Sequence, residues 1–378
     1  MKFKTYKFKL KVISPIHIGN GEVYEPFRYV VKNKRLYEID EIKYSKFISD
    51  RGKGEEFLRV CSTGNILKIR KFIYNNFSEE TALFSVCVSE EYENFYKKNI
   101  ENFARNQDKI LNQLEIKRTQ RNLVDGKAII PGSSIKGAIR TAILDAIARV
   151  KENYQSGGNE KNDRNLQRYL LGYRDAKEDP LRNLKVSDFT LVYGKTFVDR
   201  VVNIQKFGDG RRKVPQFLEM IEPDSIFEGT ISLEENFSLP LGNRRKIDIK
   251  VIKNLCKEHF YSDVYQNEYK WFGYENTNIS QLKEGFILKL GMHTGAYAMT
   301  LSNYRKIKIR RNRRWVDALH QGTTWKVNSL NLPLGWVALL EEGSEEPISV
   351  EERMDAKKQI PAPKSDIEKL MKKFNRRR

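Results

Sequence analysis

The stretch 6–12, "YKFKLKV", sets an apolar side chain at every second position and a lysine at each position between. A period of two fits a strand; on a helix the same residues would scatter around the whole circumference. The chain therefore opens with a strand that has one face to bury (Tyr6, Phe8, Leu10, Val12) and one basic face (Lys7, Lys9, Lys11). A sheet with one apolar face needs a second layer laid over it.

The stretch 129–144, "IIPGSSIKGAIRTAIL", supplies a candidate for that layer. Pro131-Gly132 breaks the preceding strand, and Ser133 or Ser134 can cap a helix. Ile135, Ile139, Ala142, Ile143, Ala146, Ile147 and Val150 then form one apolar stripe. Both periods in one chain make the expected fold class α+β. "YVVKNKRLYEI" reads as a hairpin turning at Asn33 and Lys34, and Asp40 as the cap of a helix beginning at Glu41. Residues 41–122 read as a helical insertion. Further strands are expected in "LKVSDFTLVY", "TFVDRVVNI", "QFLEMIEP", "SIFEGTISL" and "GWVALLEE", with a helix over 247–257. Within 196–222, two of these strands flank the basic hairpin tip "QKFGDGRRKVP". "RKIKIRRNRRW" (305–315) reads as a single strand with a basic face, ending in Trp315, which could stack on a base but is favoured as a core tryptophan. Residues 343–378 read as a charged linker and an amphipathic helix with a Ser365/Glu368 capping box, suited to docking on the core or on a neighbouring subunit.

Charge narrows the function. Lys and Arg number 69 against 49 Asp and Glu, a formal net charge of +20, which draws polyanions, nucleic acid foremost. The N-terminus of the 129–144 helix suits an anion, with Lys136 and Arg140 adding cations on a stripe away from the core and Gly132 and Gly137 allowing close backbone approach. Replacing either cation is expected to weaken binding and leave stability unchanged. The nucleotide-binding P-loop is excluded, because Ala138 and Ile139 follow Gly137 where that motif needs Lys and Ser or Thr. Cys61, Cys87 and Cys256 are odd in number and far apart, which argues against a zinc knuckle or disulfide framework and for a reduced, cytoplasmic setting. His17, His259, His293 and His320 show no metal-binding spacing, so neither metal nor cofactor is expected. Lysines interrupt the apolar residues of "MKFKTYKFKLKV", so no signal-peptide core is expected, and no stretch approaches a membrane span.

Four motifs in order, "PIHIGNG", "IPGSSIKGAIRTAIL", "VSDFTLV" and "LGMHTGAY", resemble the RAMP superfamily of CRISPR-associated proteins. Their spacing and the final "LPLGWVALLEE" are most similar to the fifth subunits of type III-A Csm effector complexes. The resemblance implies one RAMP unit over 1–342 with an RRM-like, ferredoxin-type antiparallel sheet core. It implies a non-catalytic subunit that binds guide RNA (crRNA), caps the 3′ end of the filament and supports crRNA maturation in antiviral defence. Target RNA and other Csm or RAMP subunits are the implied partners, host nucleases a further candidate, and a membrane is not among them. Position by position, it sets Gly132, Ser133, Ser134, Lys136 and Arg140, with Gly137, on the guide backbone. The loop with His17, Gly19 and Gly21 and the later loop with Gly291, His293 and Gly295 lie beside it. That later loop is sparser in glycine than is usual in the superfamily. Lys206, Arg211, Arg212 and Lys213 would form a thumb wedged into the guide–target duplex. Arg310 and Arg311, in the basic run, are expected on phosphates.

Catalysis is not expected. His17 could serve a guide-trimming endoribonuclease as general base, but no second acid or base accompanies it, and a histidine that orders its loop through the backbone is favoured. Related backbone subunits cut target RNA with an aspartate after the first strand; here Glu22, Glu25 and Glu38 are the only acids between Gly19 and Asp40. The rival readings are that endoribonuclease, a repeating backbone subunit of the same complex, and a general basic RNA chaperone.

Overall fold

The computed structural model describes residues 2–101, 115–151, 163–205, 216–242, 245–269, 285–311, 314–319 and 323–342. The first strand, Phe3–Val12, keeps its alternation: Phe8, Leu10 and Val12 are buried, and Lys7 and Lys9 are exposed. Lys11 departs from it. That residue is only 7% exposed and pairs with Asp224 at 3.3 Å.

This strand lies inside an antiparallel sheet. The strand order is Gly285–Lys289, Trp336–Glu341, Phe3–Val12, Ile226–Glu234, Phe189–Tyr193, Ile129–Ile130, with Leu184–Val186 also paired to Ile226–Glu234. The helix Gly132–Val150 covers its apolar face together with the helix Ile249–Cys256, which runs on into a wider π-type turn over Lys257–Tyr265. The long helix is buried on more than the expected stripe. Ala138, Leu144 and Ala148 are also enclosed, while Val150, at 54% exposed, is not part of the core.

A second sheet runs Gly19–Tyr24, Ile116–Thr119, Gln216–Ile221, Thr196–Gln205, Ala82–Val88, Arg35–Ile39, Tyr29–Lys32, with Thr323–Val327 added on Thr196–Gln205. It is mixed rather than antiparallel throughout: Thr196–Gln205 pairs parallel with Ala82–Val88, and Gln216–Ile221 pairs parallel with Ile116–Thr119. Those two short strands lie within 41–122, so that segment is not helical throughout. It carries the helices Glu41–Asp50, Gly54–Ser62, Ile66–Asn75 and Glu90–Glu101 besides the strands. An aromatic core holds it to the sheet, with Tyr24, Tyr29, Tyr92, Tyr96 and Phe217 buried together.

The local signals fare well. Asn33 and Lys34 both take positive φ, 53° and 57°, as a tight hairpin turn requires, and the Asp40 carboxylate accepts from the N–H groups of Ile42 and Lys43. The basic run is not one strand but a hairpin, Ile307–Arg311 against Arg314–Ala318, standing as a two-stranded sheet of its own. The thumb tip with Lys206, Arg211, Arg212 and Lys213, and the tail 343–378, lie outside the described residues. No helix among the described residues is long and apolar enough to cross a membrane.

Candidate nucleic-acid interface

Three segments far apart in sequence meet around one cleft of about 450 Å³. Gly19 comes from the loop after the first strand, Ser133, Ser134 and Gly137 from the start of the long helix, and Gly291 from the loop after Gly285–Lys289. Backbone contacts fix their arrangement. The Met292 N–H donates to the His17 carbonyl at 2.8 Å, so the two glycine-bearing loops are tied to each other. Gly291 sits at φ +85°, and a Cβ there would stand 2.4 Å from that same carbonyl oxygen, so no other residue fits.

The helix N-terminus is held differently from expectation. Neither Ser133 nor Ser134 caps it; Pro131 occupies the cap position without a side-chain bond, and the Gly132 N–H donates to the Asp188 carboxylate at 2.8 Å. Asp188 sits at the break between Leu184–Val186 and Phe189–Tyr193, a spot where a short polar side chain turns the strand. Gly132 faces the protein's own chain, with Val186 O only 2.3 Å from where a Cβ would stand. Gly137 has open space at that position. Because the cap comes from elsewhere, the two serine hydroxyls line the cleft without a hydrogen-bond partner among the described residues.

The two expected cations part company. Arg140 donates to Gln167 at 2.9 Å, to Asp179 at 2.8 Å and to Tyr173 at 3.3 Å, so its guanidinium is engaged inside the fold. Lys136, half-buried, has no hydrogen-bond or ion-pair partner among the described residues. Burial first, then the neighbouring Lys185, hold its ammonium below the ordinary lysine value. A phosphate would relieve both stresses.

His17 and His293 are both engaged within the fold. His17 is 1% exposed; its Nδ1 donates to the Glu219 carbonyl at 2.7 Å, and its Nε2 has no partner among the described residues. Burial lowers its pKa, against the opposing pull of Glu219. His17 therefore orders its loop through the backbone and cannot reach RNA as a side chain. Glu219 is the organiser: its carboxylate accepts from Tyr24, from the Thr119 N–H and from Thr196, and pairs with Arg121. His293 stacks on Trp325 at 4.0 Å and meets Gln216 at 3.1 Å. Burial, with Lys117 and His17 nearby, brings its pKa down to about 4, so it carries no charge for phosphate at neutral pH. Gly21 lies exposed on Gly19–Tyr24, and Gly295 precedes the short helix Ala296–Met299. Arg310 and Arg311 lie on the separate hairpin; their side chains are outside the described residues.

Sequence reading missed Lys117 and Lys185. Lys117 is exposed on Ile116–Thr119, its Nζ 3.9 Å from Met292 Sδ at the cleft edge. The alternation of buried Ile116 with exposed Lys117 was a signal, but too short to stand out in a helical-looking segment. Among the described residues no cluster of His, Cys, Asp or Glu could hold a metal ion.

The RAMP superfamily profile matches residues 9–290. A Streptococcus thermophilus protein named CRISPR system Cms protein Csm5 is 29% identical over 286 residues, which is 70% of this chain and 75% of that protein. A Methanocaldococcus jannaschii protein of the same name is 25% identical over 287 residues, 70% of this chain and 63% of that protein. Two solved structures share the fold. A chain of a type III-A Csm–crRNA–target RNA ternary complex has a TM-score of 0.58 at 21% identity, covering 89% of this chain and 100% of its own. T. onnurineus Csm5 has a TM-score of 0.55 at 18% identity, covering 87% and 99%.

Proposed function

We propose, because the chain belongs to the RAMP superfamily, that it is a non-catalytic guide-RNA-binding subunit of a type III-A Csm ribonucleoprotein, capping the guide at its 3′ end and supporting its maturation. The observation that carries the reading is the cleft: a helix N-terminus with two unengaged serine hydroxyls, edged by Lys117 and closed by two glycine-bearing loops, with Lys136 on the neighbouring stripe of the same helix turn. Such a surface recognises phosphates and shape and carries no base information, as a subunit that must accept any guide requires. The relatives named Csm5 and the similarity to a chain of a crRNA-bound complex point to the same role.

An RRM-like core is consistent with the first sheet. In chain order its main elements run strand, helix, strand, strand, helix, strand, with Phe3–Val12 and Ile226–Glu234 at the centre. The hairpin arms Thr196–Gln205 and Gln216–Ile221, which pair from Thr196↔Ile221 to Val201↔Gln216, would carry the thumb toward the guide–target duplex. Burial of His17 speaks against the guide-trimming endoribonuclease, since a general base must come within hydrogen-bond reach of the 2′-hydroxyl.

Salt-titrated binding of unrelated guide RNAs to Lys136→Ala tests the phosphate contact beside the cleft. Affinity is expected to fall equally for each guide, and the slope of log affinity against log salt to lose about 0.7 for one phosphate on single-stranded RNA. An unchanged slope would leave Lys136 without a phosphate. The stoichiometry of the complex purified on a tagged copy separates a cap, present once, from a repeating backbone subunit.

A further inference from the structure

We propose that the paired strands Ile307–Arg311 and Arg314–Ala318 are a second nucleic-acid site, which stacks the bases of single-stranded RNA on Trp315 and holds the phosphates beside it with lysine and arginine. None of the residues lining the cleft belongs to it. Its register pairs Ile307 with Ala318, Lys308 with Asp317, Ile309 with Val316 and Arg310 with Trp315. Ile307 is buried and Ile309 packs on the main core, so that face anchors the hairpin. Lys308, Trp315 and Asp317 alternate with them and occupy the other face.

Trp315 is 68% exposed, against the expectation of a core residue. An indole left in water forgoes one of the largest burial gains a side chain can make. Exposed Lys306, Lys308 and Arg314 surround it in sequence, and none has an ion-pair partner among the described residues. Arg305, by contrast, is drawn inward, its guanidinium 3.6 Å from the Tyr297 ring and bonded to Asp263. The eleven residues 305–315 contain seven Lys or Arg and no acid. Charge selects a polyanion, and the exposed ring selects one with unpaired bases. A duplex hides its π-faces, and an acidic peptide offers none.

The test is binding of the full chain to oligouridylate, to a duplex of the same length, and to an abasic strand of the same length. Trp315→Ala should weaken oligouridylate binding by about 5- to 150-fold, the range for loss of one stacked base. Trp315→Phe should restore most of it. Binding of the duplex and the abasic strand should not respond to Trp315→Ala. The melting temperature should not move, because the ring is exposed. Gly137→Glu, placed in the cleft, should leave the Trp315-dependent share intact, so failure of the cleft reading and failure of this one are told apart. Equal oligouridylate affinity for Trp315→Ala and the parent chain would overturn the proposal. So would an equal loss on the abasic strand, or competition by an acidic peptide in place of RNA.

Discussion

Arg140 and Lys136 stand one helical turn apart and differ in what surrounds them. Arg140 is held by Asp179, Gln167 and Tyr173, so Arg140→Ala leaves a partly buried carboxylate without its partner. It should cost about 2 kcal/mol of stability, the range for hydrogen bonds to charged groups, whereas Lys136→Ala should stay within about 0.5 kcal/mol. Thermal melts compare the two directly, and equal melting temperatures would contradict the assignment. Asp145 makes a second residue-scale case. Burial pushes its carboxyl up, but hydrogen bonds from His259 and from the Ser302 N–H and hydroxyl outweigh that, and the net shift is downward. A carboxylate whose folded pKa is depressed adds stability above its unfolded value, near 3.9, and loses it as pH falls toward the folded value. Asp145→Asn should therefore melt well below the parent at pH 7, by about 3 kcal/mol, with the gap narrowing only below about pH 4. A gap constant down to pH 2 would show that the charge contributes nothing.

At the scale of the element, the long helix shows what a single sequence can and cannot tell. Its apolar spacing fixed the buried side, and Asp40 and the Asn33-Lys34 turn were equally readable, because each signal lies within a few residues of its partner. The cap of the long helix was not readable. Ser133 and Ser134 are good capping residues in the right place, yet Asp188, 56 residues on, supplies the carboxylate. Tertiary closeness of the strand break to Gly132 overrides the local preference. Asp188→Ala should cost about 1 kcal/mol, the usual price of a lost cap, and Ser133→Ala should cost nothing measurable in a melt. The reverse ranking would restore the serine as cap. The same limit explains Ala82–Val88 and Ile116–Thr119: each is a strand because segments distant in sequence pair with it on both sides, one antiparallel and one parallel.

At the scale of the molecule, the described residues build two large sheets, each with its own core, beside two small two-stranded ones, and the cleft forms where the N-terminal end of the long helix meets the loops after Phe3–Val12 and Gly285–Lys289. Of the glycine and serine residues of those motifs, Gly19, Ser133, Ser134, Gly137 and Gly291 line the cleft, while Gly21, Gly132 and Gly295 do not. Their meeting, the inward role of Arg140 and His17, the cations Lys117 and Lys185 and the exposure of Trp315 were not legible in the sequence, because each depends on contacts between distant segments. Gly137 offers the most direct trial of the cleft as the proposed guide-RNA seat, since a side chain there would extend into the cleft. Gly137→Ala should raise stability by about 1 kcal/mol through helix propensity and spare binding. Gly137→Glu should fold as well as the parent while setting a carboxylate where the proposed guide phosphate would sit. The decisive measurement is guide-RNA affinity of Gly137→Glu at fixed salt, alongside its melt. A folded variant that binds guide at least tenfold more weakly for every sequence tried is the predicted result, roughly 1.4 kcal/mol or more; a folded variant that binds as the parent does would contradict it.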